Sequence, residues 1–425
     1  MVNRFSYLAF SFLVGFHLPT PMSLAEAPRQ NRPPTAQGST CLSVIDFLPT
    51  GYATDGSALY KNEIQKALDT AAEQGKILIF PRMVIRVDES GWELRSNLTL
   101  YLDNAIFKLD ENCKKDGQVF RGRDIANVTI QGGKIVGRND AWPAGVNIRG
   151  IYITGQSNNI RIRDIRMKDL SSNGIGIFGI DDQSIRDVWI DNVVIEHSGN
   201  SYNDYLTEKP GPEAGSSRDD QGLITLYYVE DFVVQGCRLE RSRSDGTHFY
   251  RCRGGQFTNN KVYAAKMGGY FVETCNDIVA TSNILRDNGS RGATIERGSR
   301  NCVFKSNIVS SSGREGLWAP QCVGLIITSN IFDRNGRKSN GPRQQQIWNA
   351  NITINEDPAD PTRSTSSNYV ITNNILYTSA SQIAAIRLAA DKTKGLIIRN
   401  NILRDENRRI LIEGVNKANV ILDND

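Results

Sequence analysis

Residues 256–283 read QFTNNKVYAAKMGGYFVETCNDIVATSN, and residues 279–307 read VATSNILRDNGSRGATIERGSRNCVFKSN. The two passages are copies of one pattern. Thr258-Asn259-Asn260, Thr281-Ser282-Asn283, Lys305-Ser306-Asn307 and Thr328-Ser329-Asn330 mark it, and their final asparagines stand 23, 24 and 23 residues apart. Thr372-Asn373-Asn374 and Arg399-Asn400-Asn401 continue the series, and Asp164, Asn192 and Cys237 are assigned to the same slot upstream. Nine residues past the slot comes a glycine (Gly246, Gly269, Gly292, Gly316), each followed by a short alternating apolar run. A fixed period of this size marks a repeat architecture.

The period is too short for a propeller blade, and it lacks the leucine-asparagine signature of leucine-rich repeats. No helical periodicity separates the apolar runs. One turn of a right-handed parallel β-helix takes about this many residues. The expected fold is therefore all-β, a single-stranded right-handed parallel β-helix in which equivalent positions stack ~4.8 Å apart. An asparagine repeated in one turn can then bond along the stack and satisfy turn backbone groups. Cys252 and Cys275 share a slot six residues after their glycines, and Cys322 recurs in it two coils later. The cysteines are accordingly read as stacked interior residues.

The chain has 425 residues, 39% of them hydrophobic and 23% charged, an ordinary folding composition. The net charge of +4 and the lack of a basic tail argue against a nucleic-acid partner. Three histidines, His17, His197 and His248, and no Cys-x-x-Cys spacing argue against a metal or thiol-redox enzyme. No cofactor is expected. Calcium is the one metal for which ligands suggest themselves, at Asp219 and Asp220. Arg4, the apolar run Phe5 to Leu18 and Ala25-Glu26-Ala27 read as a signal peptide over 1–27, because the run is shorter than the ~20 residues a spanning helix needs. A flexible lead-in over 28–40 and one β-helix domain over 41–425 follow, in a protein expected to be secreted or periplasmic without a membrane span.

After the leader, Asp55-Gly56 precedes a helix through Asn62-Glu63-Ile64-Gln65-Lys66-Ala67-Leu68. The strands Lys76-Ile77-Leu78-Ile79-Phe80-Pro81 and Leu98-Thr99-Leu100-Tyr101-Leu102 come next. This order resembles the N-terminal cap of the pectin-lyase-like superfamily, which includes polygalacturonases, pectate lyases, alginate lyases and mannuronan epimerases. The resemblance implies a capped β-helix that acts on or binds a polysaccharide. It is specific for fold and weak for reaction. Ser244-Asp245-Gly246 looks like part of the polygalacturonase signature, but the next coil reads Met267-Gly268-Gly269, without that family's paired aspartates.

Counting each glycine as zero, the +1 and +3 residues are uncharged and are expected inside. They include Leu223 and Thr225 after Gly222, Thr247 and Phe249, Tyr270 and Val272, and Ala293 and Ile295. Alternation sends the +2 and +4 residues outward. His248, Tyr250, Phe271, Glu273, Thr294, Glu296 and Trp318 should therefore share one outer wall. Aromatic faces stack on sugar rings, and convergent polar groups orient them. Insertions at Ser198 to Asp220 and Asp333 to Gln346 are placed to wall a groove, and a third runs from Asn355 to Asn368.

The leading chemistry is glycoside hydrolysis by two carboxyl groups, Glu273 and Glu296 on neighbouring coils, with Asp245 a further acid. The rival is uronate elimination or C5 epimerisation, with His248 and Tyr250 as base and acid. A carbohydrate-binding surface protein is the non-catalytic alternative. Between Cys237 and Arg300 stand eleven Lys and Arg against six Asp and Glu, so an anionic polysaccharide is the expected partner. Asp220, Arg251, Phe271, Arg291, Arg297, Arg314, Glu315 and Trp318 are the expected substrate-binding residues.

Overall fold

The computed structural model describes residues 40–143, 145–199, 221–337, 350–356, 365–389, 392–413, 415 and 420–423. Its described strands form three sheets, of fourteen, twelve and twelve strands, and every strand pair within them is parallel. Each coil gives one strand to each sheet in turn, as in Arg253–Thr258, Lys261–Tyr263 and Tyr270–Glu273. The chain is thus an all-β parallel β-helix. The amphipathic helix Lys61–Glu73 buries Ile64, Ala67, Leu68 and Ala71 beside the first coil. No helix among the described residues is long and apolar enough to cross a membrane.

The doublet that marks the repeat has a two-part cause. Its first member turns the corner between the first and second sheets in a left-handed conformation: φ is 57° at Asn259, 58° at Ser282 and 54° at Ser306. Asparagine tolerates that region better than most residues. The second member points inward and builds a ladder. Asn260, Asn283 and Asn307 each donate their backbone N–H to the Oδ1 of the next asparagine at 2.9 Å, through Asn330. Their side-chain Nδ2 groups donate to interior carbonyls, as Asn307 does to Ala280 O at 3.1 Å.

Asn307→Ala leaves the Asn283 N–H and the Ala280 carbonyl without these partners in a buried corner. The expected loss is about 3 kcal/mol, because unpaired buried groups cost roughly 1–3 kcal/mol each. Denaturant unfolding of the variant measures it.

Two register expectations are corrected. Asp164 and Asn192 occupy the left-handed corner, with φ of 60° and 51°, and the inward slot beside them holds Ile165 and Val193. Only Cys237 of the three upstream residues stands in the ladder slot, donating its N–H to Asn260 Oδ1 at 2.9 Å. In the coil after Gly222, Ile224 pairs with Thr247 and Tyr227 with Tyr250. Ile224 and Leu226 therefore enter the core, while Thr225 and Tyr227 face outward. A shift of one residue inverts every side chain of a strand, and Leu223, not Gly222, stands opposite Gly246.

The inner faces fill one continuous apolar core, with Phe249, Val272, Ile295 and Phe304 among its members. Rings stack along it, Phe257 on Tyr270 at 4.8 Å. Cys252 donates its N–H to Cys275 Sγ at 3.2 Å, and Ser299 takes the next place in that stack before Cys322. The seven cysteines are free thiols, and burial pushes Cys237 and Cys302 up to about 12. Thiols raised in this way are neutral packing groups, not nucleophiles, whereas Cys41 is only half-buried and stands outside the interior stack.

Candidate active site

The strands Ile224–Tyr227, Thr247–Tyr250, Tyr270–Glu273, Ala293–Glu296 and Leu317–Trp318 lie side by side in the third sheet. Register sets two outward columns. One runs Thr225, His248, Phe271, Thr294, Trp318, and the other Tyr227, Tyr250, Glu273, Glu296. The columns face away from the core, yet His248, Glu273 and Glu296 are only 1%, 2% and 2% exposed. This part of the outer wall is therefore desolvated, and its polar groups need partners.

The partners come from corner residues. A left-handed residue follows the strands, with φ of 51° at Arg251, 56° at Thr274 and 55° at Arg297. At the third corner this turns an arginine back over its own sheet. Arg297 Nη1 lies 2.8 Å from Glu273 Oε1, and its Nε lies 3.1 Å from Glu296 Oε1. One guanidinium thus spans two carboxylates on adjacent coils. A cation in that position favours both in the ionised form. Glu273 also faces His248, with Oε2 and Nε2 3.7 Å apart. On its other side His248 Nδ1 lies 3.3 Å from the Tyr227 hydroxyl, and Phe271 meets the ring edge-on at 4.6 Å.

A second group closes the end of the site. Arg291 stacks over Trp318 at 3.9 Å and pairs with the buried Glu315 at 3.2 Å. Burial pushes the Glu315 carboxyl up, against the pull of Arg291 and Arg314. Burial also lowers the Arg314 guanidinium to about 10, reinforced by the like charge of Arg291. Asp245 sits at the entrance to its strand, 2% exposed, and accepts the Gly268 N–H at 2.7 Å. Burial pushes it up to about 6, although His248, Gly268 and Arg291 all pull it down.

This acid carries a pH signature. The folded state holds the Asp245 proton up to about pH 6, whereas an unfolded aspartate releases it near 3.8. Between those values the native state binds more protons, so stability falls as pH rises through the window, by about 3 kcal/mol in all. Asp245→Asn keeps an acceptor for Gly268 and removes the titration. The stability of the variant should stay flatter than that of the parent between pH 4 and 6 in urea melts.

A cleft of about 280 Å³ brings together Asp245, His248, Phe271, Arg291, Glu296, Arg297, Arg314 and Trp318. Glu273 and Glu315 stand behind it, holding lining residues. Tyr250 and Arg251 lie to one side, in an aromatic group where Tyr250 meets Tyr227 at 5.1 Å and Arg251 pairs with Asp181 at 2.9 Å. Asp219 and Asp220 fall outside the described residues, as does most of each proposed groove wall. Among the described residues no three His, Cys, Asp or Glu side chains converge as a metal site would require.

The sequence reading missed four contributors. Gln221, Met267 and Ser290 line the cleft without any sequence signal. Tyr227, which orients His248, was hidden by the misplaced register and is legible once Ile224 and Leu226 are recognised as the inward pair.

The family profile described as right handed beta helix region matches residues 118–307 and 222–357. No curated protein sequence matches the chain. Among solved structures, the A-module of mannuronan C-5 epimerase AlgE4 from Azotobacter vinelandii is similar with a TM-score of 0.60 and 15% identity, over 87% of this chain and 97% of that one. PfbA, a surface adhesin of Streptococcus pneumoniae, gives 0.58 and 16%, over 90% of this chain and 93% of that one. The Dettilon tailspike protein gives 0.59 and 14%, over 91% and 68%. At these identities the likeness is one of fold.

Proposed function

The chain belongs to the right-handed β-helix family, and from the cleft on its third sheet we propose that it is an exported enzyme acting on an acidic polysaccharide. The observation that carries this reading is the company of His248. A buried imidazole backed by Glu273 lines a cleft with three arginines, Arg291, Arg297 and Arg314, and two aromatic walls, Phe271 and Trp318. Guanidinium forks suit a sugar carboxylate, and the aromatic faces suit the ring.

The chemistry that fits is removal of the proton next to that carboxylate. His248 is the base: its neutral imidazole, held between the Tyr227 hydroxyl and Glu273, takes the C5 proton. The electron pair left on C5 delocalises into the carboxylate, where the arginines stabilise the added charge. Loss of the C4 oxygen, protonated by Asp245, gives an unsaturated uronate and a new chain end. Delivery of a proton from water to the opposite face of C5, with His248 passing its proton to solvent, gives the inverted sugar without cleavage.

Hydrolysis by Glu273 and Glu296 is the second reading, favoured by their direct cross-strand pairing. It requires one of them protonated, which the shared Arg297 opposes. Asp245 is a poor substitute for the missing acid. Its backbone lies two coils from Glu296, ~10 Å at ~4.8 Å per coil, and five residues along the strand direction, ~16 Å at ~3.3 Å per residue, beyond the ~5–9.5 Å of glycosidase pairs.

Incubation with alginate, polygalacturonate and other acidic polysaccharides separates the readings. Ultraviolet absorbance of an unsaturated uronate marks elimination, and deuterium uptake at C5 without cleavage marks inversion. New reducing ends without absorbance mark hydrolysis and refute the proton-abstraction reading. Binding without any product leaves a carbohydrate-binding protein, a role consistent with the adhesin among the similar structures.

A further inference from the structure

A second concave site lies on the first sheet, away from the strands that carry the cleft. Trp189 projects from the strand Ile185–Asp191 with 39% of its surface exposed, one of few large apolar side chains so displayed. Register places it between Arg161 and Val233. Two residues along, the next outward column runs Gln131, Arg163, Asp191, Gln235. Thr129, Arg161, Arg163, Trp189, Asp191 and Gln235 enclose about 430 Å³.

The polar column is pre-arranged. Arg163 Nη2 donates to Gln131 Oε1 at 2.8 Å, and Gln235 Nε2 donates to Asp191 Oδ1 at 3.2 Å. Arg161 grips both oxygens of Asp187 at 2.7 Å, which fixes its stem beside the indole. A flat aromatic face thus stands next to a held row of amide, carboxylate and guanidinium groups. An indole face takes the C–H side of a pyranose, and side-by-side donors and acceptors take its hydroxyls. Holding those groups in advance reduces the ordering cost of binding. A protein partner would instead call for a broader apolar surface around Trp189, whereas its outward neighbours are polar or charged on three sides.

We propose that this concavity is a non-catalytic carbohydrate-binding site, with a sugar ring of a polysaccharide chain stacked on Trp189 and its hydroxyls on Arg163, Asp191 and Gln235. It tethers the chain on a different face from the cleft and acts whether or not the cleft turns that chain over.

Affinity electrophoresis of the full protein through gels containing alginate, polygalacturonate or hydroxyethylcellulose tests the site. Trp189→Ala should weaken retention about tenfold on the gel that retards the parent. Trp189→Phe should keep part of the retention, and Gln235→Ala should fall between. Retardation in the acidic gels alone identifies an acidic chain, and in the cellulose derivative a neutral one. Cleft variants such as His248→Ala should leave the Trp189-dependent part of retention in place, so failure of the proposed activity is read separately. Retention unchanged in Trp189→Ala, or absent for the parent in every gel, overturns the proposal.

Discussion

Arg297→Ala should be the most damaging single substitution for stability, with an expected loss of about 3–5 kcal/mol, the range found when one member of a buried ion pair is removed. The physical reason is the burial of what remains. Glu273 and Glu296 are 2% exposed and directly paired across adjacent strands. Without the guanidinium, two like charges face each other in a desolvated layer, and both carboxyl pKa values rise. Carboxyls held protonated longer in the folded state than in the unfolded state destabilise it as pH increases. The defect should therefore shrink in acid and be full at neutral pH. Arg297→Lys should recover only part of the loss, because an ammonium is one point charge and cannot fork between two carboxylates. Adding Glu273→Gln and Glu296→Gln to Arg297→Ala should restore much of it. Urea unfolding at acid and neutral pH measures each variant, and equal defects at both would refute the shared-cation account.

His248→Ala should cost the most in turnover, about 10²–10⁴-fold in kcat, as expected for loss of a general base. Substrate affinity should change far less, because the arginines and aromatic walls stay in place. Tyr227→Phe removes the group at 3.3 Å from Nδ1 and leaves the ring contacts, so a smaller fall is expected. Glu273→Gln should act in the same direction through the imidazole, while Glu296→Gln should have the milder effect. If both glutamine variants abolish hydrolysis and His248→Ala is active, the two-carboxylate mechanism is right and the proton-abstraction reading is wrong.

The cleft shows how far a repeat can be read. The +2 and +4 columns of the coils after Gly246, Gly269 and Gly292 followed from alternation alone. Their glycines stand 23 residues apart, so counting residues from one to the next is the same as counting rungs. The coil after Gly222 follows an insertion, and there the count slipped by one residue and concealed Tyr227. Asp164 and Asn192 misled in a similar way. Polar residues suit both the left-handed corner and the inward slot, and only the backbone angle distinguishes them. Asp245 was identified by a fragmentary motif. Its raised pKa depends on complete burial beneath the neighbouring coil, a property that no local spacing encodes.

The sequence by itself determined the parallel coil, the asparagine ladder, the interior cysteines and the wall that carries His248, Glu273 and Glu296. Each of these follows from a period, and a period is a one-dimensional quantity. Tertiary structure alone decided that His248, Glu273 and Glu296 on that wall are buried, that Arg297 turns back to bridge the glutamates, and that Glu273 lies against His248 outside the cleft lining. Those facts depend on how long side chains fold across coils and on which charges water can reach. Desolvation and side-chain direction arise only when the rungs are stacked.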